Sequence, residues 1–352
     1  MLISQDKILQ EDIENIVSSS MLKWDKFKDT RILITGATGL LGSQIVRTLM
    51  LANEIRDLNL KVFALVRSKE KAEKVFSEID KNDNLNFIVQ DIQDKLDIQE
   101  SIDYIIHGAS MTSSKSFVEQ PVETIYTSIE GCNNIFEFAK NTACKGCVYL
   151  SSMEVYGITQ KKEIMEEDLG YLNPLTPRSS YSEGKRMCEC LAVSYMSEYQ
   201  VPIKVIRLTQ TFGPGVSKED NRVFAQFAKC TLEKSDIILH TKGETTRNYC
   251  YTKDAITAIL LVLLDGKEGE AYNVANEETA ISIYDMAKML VDRYANGEFE
   301  VKIQLEDESK HGYNPVNRTC ISSKKINGLG WQPSVGLEEA FERMIQSMKD
   351  TD

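Results

Sequence analysis

Two side chains four residues apart carry the sharpest chemistry of this sequence: Tyr181 and Lys185, in Tyr181-Ser-Glu-Gly-Lys185. On a helix, that spacing projects both from one face, about 40° apart. A phenol ionises near pH 10 and is a poor base at neutrality. A neighbouring ammonium favours its phenolate, as does the positive end of a helix. Ser180-x-x-Glu183 has the form of a capping box and predicts a helix starting at Tyr181, with the phenol at that positive end. Some thirty residues earlier stands Ser151-Ser152-Met153-Glu154-Val155-Tyr156-Gly157, directly after an apolar run. Open α/β sheets bind ligands at the carboxyl ends of their strands, which would bring Ser152 and Glu154 into the same crevice. A serine hydroxyl there can hold a substrate oxygen while the tyrosine takes its proton.

A second motif suits phosphate. Gly36, Gly39 and Gly42 form a GxxGxxG array after the apolar run Arg31–Thr35 and ahead of a helical pattern. Glycine permits the tight turn and lets the backbone approach a pyrophosphate, which then lies at the positive end of the helix. The end of the next strand decides how the adenosine ribose is read: a carboxylate suits NAD, an arginine the 2′-phosphate of NADP. Here that end reads Leu65-Val66-Arg67-Ser68-Lys69, which tilts the reading of NAD or NADP slightly toward NADP. Asp91 and Ile92, after the third strand, are placed to meet an adenine, although an acidic loop residue explains Asp91 almost as well.

These residues need a sheet to position them. RILIT, KVFALVR, NFIVQ, YIIHGA, GCVYLSS and IKVIRL read as strands, with helical stretches between them, notably 121–140 and 180–200. Alternation of this kind predicts an α/β fold: a Rossmann-type doubly wound parallel sheet with a smaller C-terminal substrate-binding lobe. The expected organisation is an N-terminal helical extension (1–28), a dinucleotide-binding domain (29–208) and a lobe (209–352), part of which returns to the sheet. In the last third, helices are expected at 222–233, 253–264, 282–294 and 337–348.

TGATGLLG, SSMEVYG, YSEGK, RLTQTFGPG, TRNYCYTKD and LGWQP, in this order, resemble the extended short-chain dehydrogenase/reductases. More narrowly, they are similar to the branch of nucleotide-sugar epimerases, dehydratases and decarboxylases, over about 31–340. The resemblance implies that Tyr181 removes the proton of a sugar 4-hydroxyl, that Lys185 assists it and binds the cofactor ribose, and that Ser152 is the catalytic Ser/Thr. It extends the cofactor set to Thr38, Leu40, Leu41 and Ala109. It assigns the nucleotide diphosphate sugar to Ser110, Gln210, Arg247 and Arg318, with Arg247 gripping the diphosphate. Gln210 and Ser128 stand where asparagine is more usual. Sugar 4,6-dehydratases carry Asp-Glu after the Ser/Thr, UDP-glucuronate decarboxylases a small residue and then glutamate, and simple 4-epimerases generally lack the glutamate. Met153-Glu154 keeps the base and loses the acid, because a thioether has no proton to donate. That favours a decarboxylase or epimerase, acting through a transient 4-keto sugar, over a dehydratase. Glu154 making only a structural hydrogen bond is the competing explanation. Family members commonly pair through two helices, here 121–140 and 180–200, which implies a homodimer.

The remaining composition narrows the alternatives. A net charge of −12 disfavours a general nucleic-acid footprint, although a local basic pocket stays open. The longest apolar run, Ala258–Leu264, falls far short of the roughly 20 residues a membrane helix needs. The first residues show no signal-peptide core, and eight cysteines are sparse, so a soluble cytoplasmic protein is expected. Cys144-Lys-Gly-Cys147 has no second CxxC, and there are only three histidines, so no metal is expected. His107, beside an apolar run, reads as structural. Two alternatives stay open: an NADPH-dependent reductase of a carbonyl or 4-keto sugar, and a non-catalytic dinucleotide-binding protein.

Overall fold

The computed structural model describes residues 2–306 and 319–350. Helix α1 (Lys7–Ser18) and a 3-10 turn at Trp24–Phe27 precede β1 (Arg31–Thr35), α2 (Leu40–Arg56), β2 (Lys61–Val66), α3 (Lys69–Val75) and β3 (Leu85–Val89). Then come β4 (Tyr104–His107), α4 (Ser114–Glu119), α5 (Pro121–Thr142), β5 (Gly146–Ser152), a 3-10 turn at Met153–Tyr156, β6 (Glu163–Ile164), α6 (Ser179–Tyr199) and β7 (Ile203–Leu208). Beyond it lie β8 (Gln210–Phe212), α7 (Val223–Glu233), β9 (Ile237–Leu239), β10 (Thr246–Tyr251), α8 (Thr252–Asp265) and β11 (Ala271–Val274). The last elements are β12 (Asn276–Ser282), α9 (Ile283–Tyr294), β13 (Val301–Ile303), β14 (Cys320–Ile321), α10 (Lys324–Asn327) and α11 (Leu337–Asp350).

Seven strands form one sheet in the order β11-β7-β5-β4-β1-β2-β3, every pair parallel. Successive side chains of a strand point to opposite faces, and here both faces are covered, which is why the strands read as continuous apolar runs. Ile32 and Ile34 of β1 join the core beneath α2 and α8, whereas Leu33 joins the core beneath α5 and α6. Val62 and Ala64 repeat this alternation with Phe63 and Leu65 in β2. Full burial of each such side chain stabilises the fold by about 1.5–3 kcal/mol. From β1 the chain winds outward to β3 and then returns to the other side for β4. A crevice therefore opens at the carboxyl ends of β1 and β4.

After Leu208 the chain leaves this sheet, and it rejoins at β11, which pairs with β7. The excursion, together with segments that follow β11, builds a three-stranded sheet, β12-β10-β8, and a third core around Phe212, Phe224, Tyr249 and Phe341. The N-terminal segment is part of the main body: Ile3, Ile13, Trp24 and Phe27 are buried in the same core as Ile32 and Ile34. Among the described residues no helix is long and apolar enough to cross a membrane. Cys144 and Cys147 are buried where the chain enters β5, and burial pushes the Cys144 thiol up to about 11.

At the end of β4 the Thr35 hydroxyl accepts from the Gly108 and Ala109 N–H groups and lies 2.7 Å from Nδ1 of buried His107. Its own proton therefore goes to Nδ1, and the neutral imidazole carries its hydrogen on Nε2. Burial, with a smaller push from the Lys185 charge, lowers this imidazole to about 3. The unfolded chain protonates His107 near pH 6.5, so the group's contribution to stability is complete above that value. It is lost as pH falls from about 6.5 towards 3, by up to about 1.4 kcal/mol per pH unit. Unfolding of the wild type and His107→Gln across this range is expected to give a stability difference that shrinks on acidification.

Candidate active site

The carboxyl ends of β1, β2, β4, β5 and β7 and the amino end of α6 open on one cavity of about 920 Å³. Its first wall is the glycine turn. Gly36 has φ +68°, and a Cβ there would lie 2.8 Å from the Gly108 carbonyl carbon. At Gly42 a Cβ would lie 2.2 Å from the Gly36 carbonyl oxygen. Only hydrogen fits at either position, and α2 begins at Leu40 with its free N–H groups facing the turn. Thr38, Gly39, Leu40 and Leu41 complete this wall. A cradle of that form fits the pyrophosphate of a dinucleotide. Arg67, at the end of β2, and Lys71, in α3, line the cavity, as do Asp91, Ile92, Ala109 and Ser110. Asp91 Oδ1 accepts from the Gln93 N–H, so one of its oxygens serves the local turn.

Tyr181, Lys185, Ser152 and Glu154 all line the same cavity. Lys185 is buried; its Nζ donates to the Leu150 carbonyl at 2.8 Å, and lies 5.7 Å from the centre of the Tyr181 ring. The carbonyl anchors the ammonium under the phenol ring, so a fixed positive charge stands beside Tyr181. The Ser152 oxygen accepts from the Glu154 N–H at 3.2 Å and caps the 3-10 turn Met153–Tyr156. That turn is braced from behind. Ser151 donates to Glu189, Arg207 forks onto Glu189 and donates to the Tyr156 hydroxyl at 3.0 Å, and Tyr156 donates to Asn273. Burial pushes the Tyr156 phenol up to about 12, which keeps it a donor.

Helix α6 does not start as the sequence suggests. It begins at Ser179, Arg178 before it has helical φ and ψ, and no side chain caps it. The Ser180 hydroxyl donates instead to the Phe117 carbonyl at 3.0 Å. The turn at Asn173–Thr176 already supplies partners, with Ser179 donating to the Asn173 carbonyl and its N–H to the Thr176 carbonyl. Ser180 is thereby released to tie α4 to α6. Tyr181 remains in the first turn of the helix.

Several residues of the site carried no signal in the sequence. Phe117 of α4 stacks on Tyr181, ring centres 4.2 Å apart and planes within 11°. The Arg178 guanidinium also lies over the Phe117 ring, at 5.0 Å from its centre, and donates to both Glu154 oxygens at 3.2 and 3.1 Å. Ser182 donates to the same carboxylate at 3.3 Å. Glu154 is therefore the anchor of a stack that ends on Tyr181. On the lobe side the cavity is lined by Thr209, Gln210, Asp220 and Arg222, with Arg222 forked onto Asp220. Arg247 is in β10, outside the set of residues lining the cavity, and Arg318 lies outside the described residues. Ser128 is buried in α5 and returns its hydroxyl to the Thr124 carbonyl. No group of three or more His, Cys, Asp or Glu side chains that could hold a metal ion occurs among the described residues.

Comparison with known proteins identifies what this arrangement is similar to. Residues 32–275 match the profile of the "NAD dependent epimerase/dehydratase family". UDP-glucuronic acid decarboxylase 3 of Arabidopsis thaliana is 30% identical over 336 residues, which is 94% of this chain and 93% of that protein. The dTDP-D-glucose 4,6-dehydratase of Homo sapiens is 28% identical over 325 residues, covering 90% of this chain and 89% of that one. The structure of an epimerase from Methanothermobacter thermautotrophicus superposes with a TM-score of 0.81 at 22% identity, over 95% of this chain and 96% of that one.

Proposed function

The chain belongs to the NAD-dependent epimerase/dehydratase family, and from that premise we propose that it modifies the sugar of a nucleotide diphosphate sugar through a transient 4-keto intermediate, by decarboxylation or epimerisation. The observation that carries this reading is Tyr181 on the cavity wall with the Lys185 ammonium fixed beside its ring. A nicotinamide dinucleotide, held by Gly36, Gly39 and Gly42, supplies reversible acceptance of the C4 hydride when bound. Tyr181 takes the 4-hydroxyl proton, Lys185 stabilises the phenolate electrostatically, and Ser152 donates to the developing carbonyl oxygen. Residues 29–208 together with β11 form the dinucleotide half. The lobe forms the sugar half, with Gln210 at the sugar, Ser110 reaching it from the dinucleotide half, and Arg222, which lines the cavity, joining Arg247 and Arg318 as a cation for the diphosphate.

The fate of the 4-keto sugar turns on Met153 and Glu154. Dehydration needs a base for the C5 proton and an acid for the leaving hydroxyl. Met153 has no proton to give, and Glu154 already accepts from Arg178 and Ser182. Neither loss of CO₂ from a β-keto acid nor inversion at C4 needs a carboxylate base at C5, so both agree with a Glu154 held in place. Incubation with UDP-glucuronate, UDP-glucose and dTDP-glucose tests this. We expect CO₂ release or a 4-epimer, with the cofactor unconsumed. A 4-keto-6-deoxy sugar would overturn the preference.

Arg67 and Lys71, on the cavity wall, support acceptance of NADP as well as NAD. Titration should show Arg67→Ala lowering NADP affinity about tenfold and leaving NAD nearly unchanged; equal losses would remove the assignment. The same two cations support the second reading, a reductase, which predicts stoichiometric NADPH loss. A homodimer through α5 and α6 is supported by Val122, Ile125, Tyr126 and Met187, all exposed on those helices. The expected compartment is the cytoplasm.

A further inference from the structure

The loop between β8 and α7 forms part of the cavity wall through Gly215, Val216, Ser217, Asp220 and Arg222. Few of its backbone groups take part in regular structure, so its position depends on outside contacts. Gln44 of α2 donates to the Pro214 carbonyl at 2.8 Å, which ties the loop to the helix behind the glycine turn. The neighbouring Gly215 N–H donates to the Ser347 Oγ of α11 at 3.0 Å. The Ser347 hydroxyl in turn donates to Asp6 Oδ2. The other oxygen of Asp6 accepts from the Ile8 and Leu9 N–H groups and caps α1. One carboxylate thus starts the N-terminal helix and holds the C-terminal helix. Both Asp6 and Ser347 are buried. A second link runs beside the first: Arg343 of α11 donates to Asp12 of α1 at 2.7 Å and to the Tyr251 hydroxyl at 2.9 Å. Asp6, Asp12, Arg343 and Ser347 all lie outside the stretch 32–275 that matches the family profile.

We propose that Ser347 and Asp6 are positioning residues for the sugar half of the site, helices α1 and α11 forming a strap that fixes the β8–α7 loop. This rests on the reading of the cavity as a nucleotide-sugar site. The strap meets the wall at Gly215, which has φ +80°; glycine reaches this conformation freely and many others as well, so the bond from its N–H is a contact that selects one of them. Without the Ser347 hydroxyl, the buried Asp6 oxygen loses a partner, and the exposed Gly215 turn loses its tie to α11 and becomes free to move in solvent.

The test compares the full-length protein with Ser347→Ala, and with Asp6→Asn as the milder change that keeps the cap of α1. Amide exchange across 213–222, UDP affinity, NAD affinity and melting temperature are measured on each. Ser347→Ala is expected to speed exchange in the loop and to weaken UDP binding about tenfold, with NAD affinity unchanged. Once a substrate is known, KM should rise while kcat holds. Asp6→Asn should move the same readouts in the same direction by less. Unchanged exchange in 213–222, or faster exchange with unchanged UDP affinity, would overturn the strap. If UDP fails to bind the wild type, the nucleotide-sugar reading falls, and loop exchange still decides whether Ser347 holds the wall.

Discussion

Tyr181→Phe is expected to reduce turnover by about 10²–10⁴-fold while NAD affinity and melting temperature change little. The substitution removes one oxygen and leaves the ring. The ring is what Phe117 stacks on at 4.2 Å and what Lys185 faces at 5.7 Å, so the packing of α4 against α6 survives. Under the proposed function, the oxygen lost is the one that takes the proton from the sugar hydroxyl. Lys185 cannot replace it. Its ammonium is tied to the Leu150 carbonyl, and it acts as a charge and not as a base. Turnover assays paired with NAD titration separate the outcomes. Unchanged turnover would remove Tyr181 from the chemistry, and loss of NAD affinity together with turnover would mean that the hydroxyl serves cofactor binding rather than proton transfer.

Gly42→Ala is expected to weaken NAD binding about a hundredfold and to lower the melting temperature. Its Cβ would sit 2.2 Å from the Gly36 carbonyl oxygen and 2.9 Å from the Ala37 Cα, both backbone atoms with nowhere to move. Overpacking of this kind costs about 1–3 kcal/mol or more, and about 2.7 kcal/mol corresponds to a hundredfold in affinity. Relief requires Gly36 to shift, and the space beside it is closed, since a Cβ built there would lie 2.8 Å from the Gly108 carbonyl carbon. The turn therefore moves as a unit away from the geometry that presents α2 N–H groups to a pyrophosphate. Gly336→Ala is the control, since nothing lies within 4 Å of a Cβ there, and it should be neutral. Isothermal titration with NAD on both variants checks the contrast. Equal affinities would mean that the dinucleotide does not use this turn.

Much of the scaffold was legible because parallel strands buried on both faces announce themselves as short, unbroken apolar runs. GCVYLSS and IKVIRL coincide with β5 and β7, residue for residue. The site was legible where chemistry sits at strand ends or at fixed helical spacing, as with Ser152, Glu154, Tyr181 and Lys185. Ser180 and Glu183 misled because a capping box is a local pattern, and the tertiary contact with the Phe117 carbonyl outcompetes it. Arg247 illustrates a different limit: a motif fixes a residue to a strand without fixing whether it reaches a given cavity. Phe117, Arg178 and Arg222 reach the site from a short helix and from loops, where neither period nor spacing marks them. The partners Asp6 and Ser347 are 341 residues apart, and a single serine hydroxyl in an amphipathic helix carries no sign of such a contact.

Under the proposed function, the chain oxidises a nucleotide sugar and then returns the hydride within one catalytic cycle. Rapid mixing of the NAD-loaded protein with its nucleotide sugar, followed at the reduced-nicotinamide absorbance band, tests it most directly. A rise during the first turnover that decays to baseline as decarboxylated or epimerised sugar accumulates is the predicted result. Product formed without any transient signal, or a signal that changes in one direction in step with product, would contradict it.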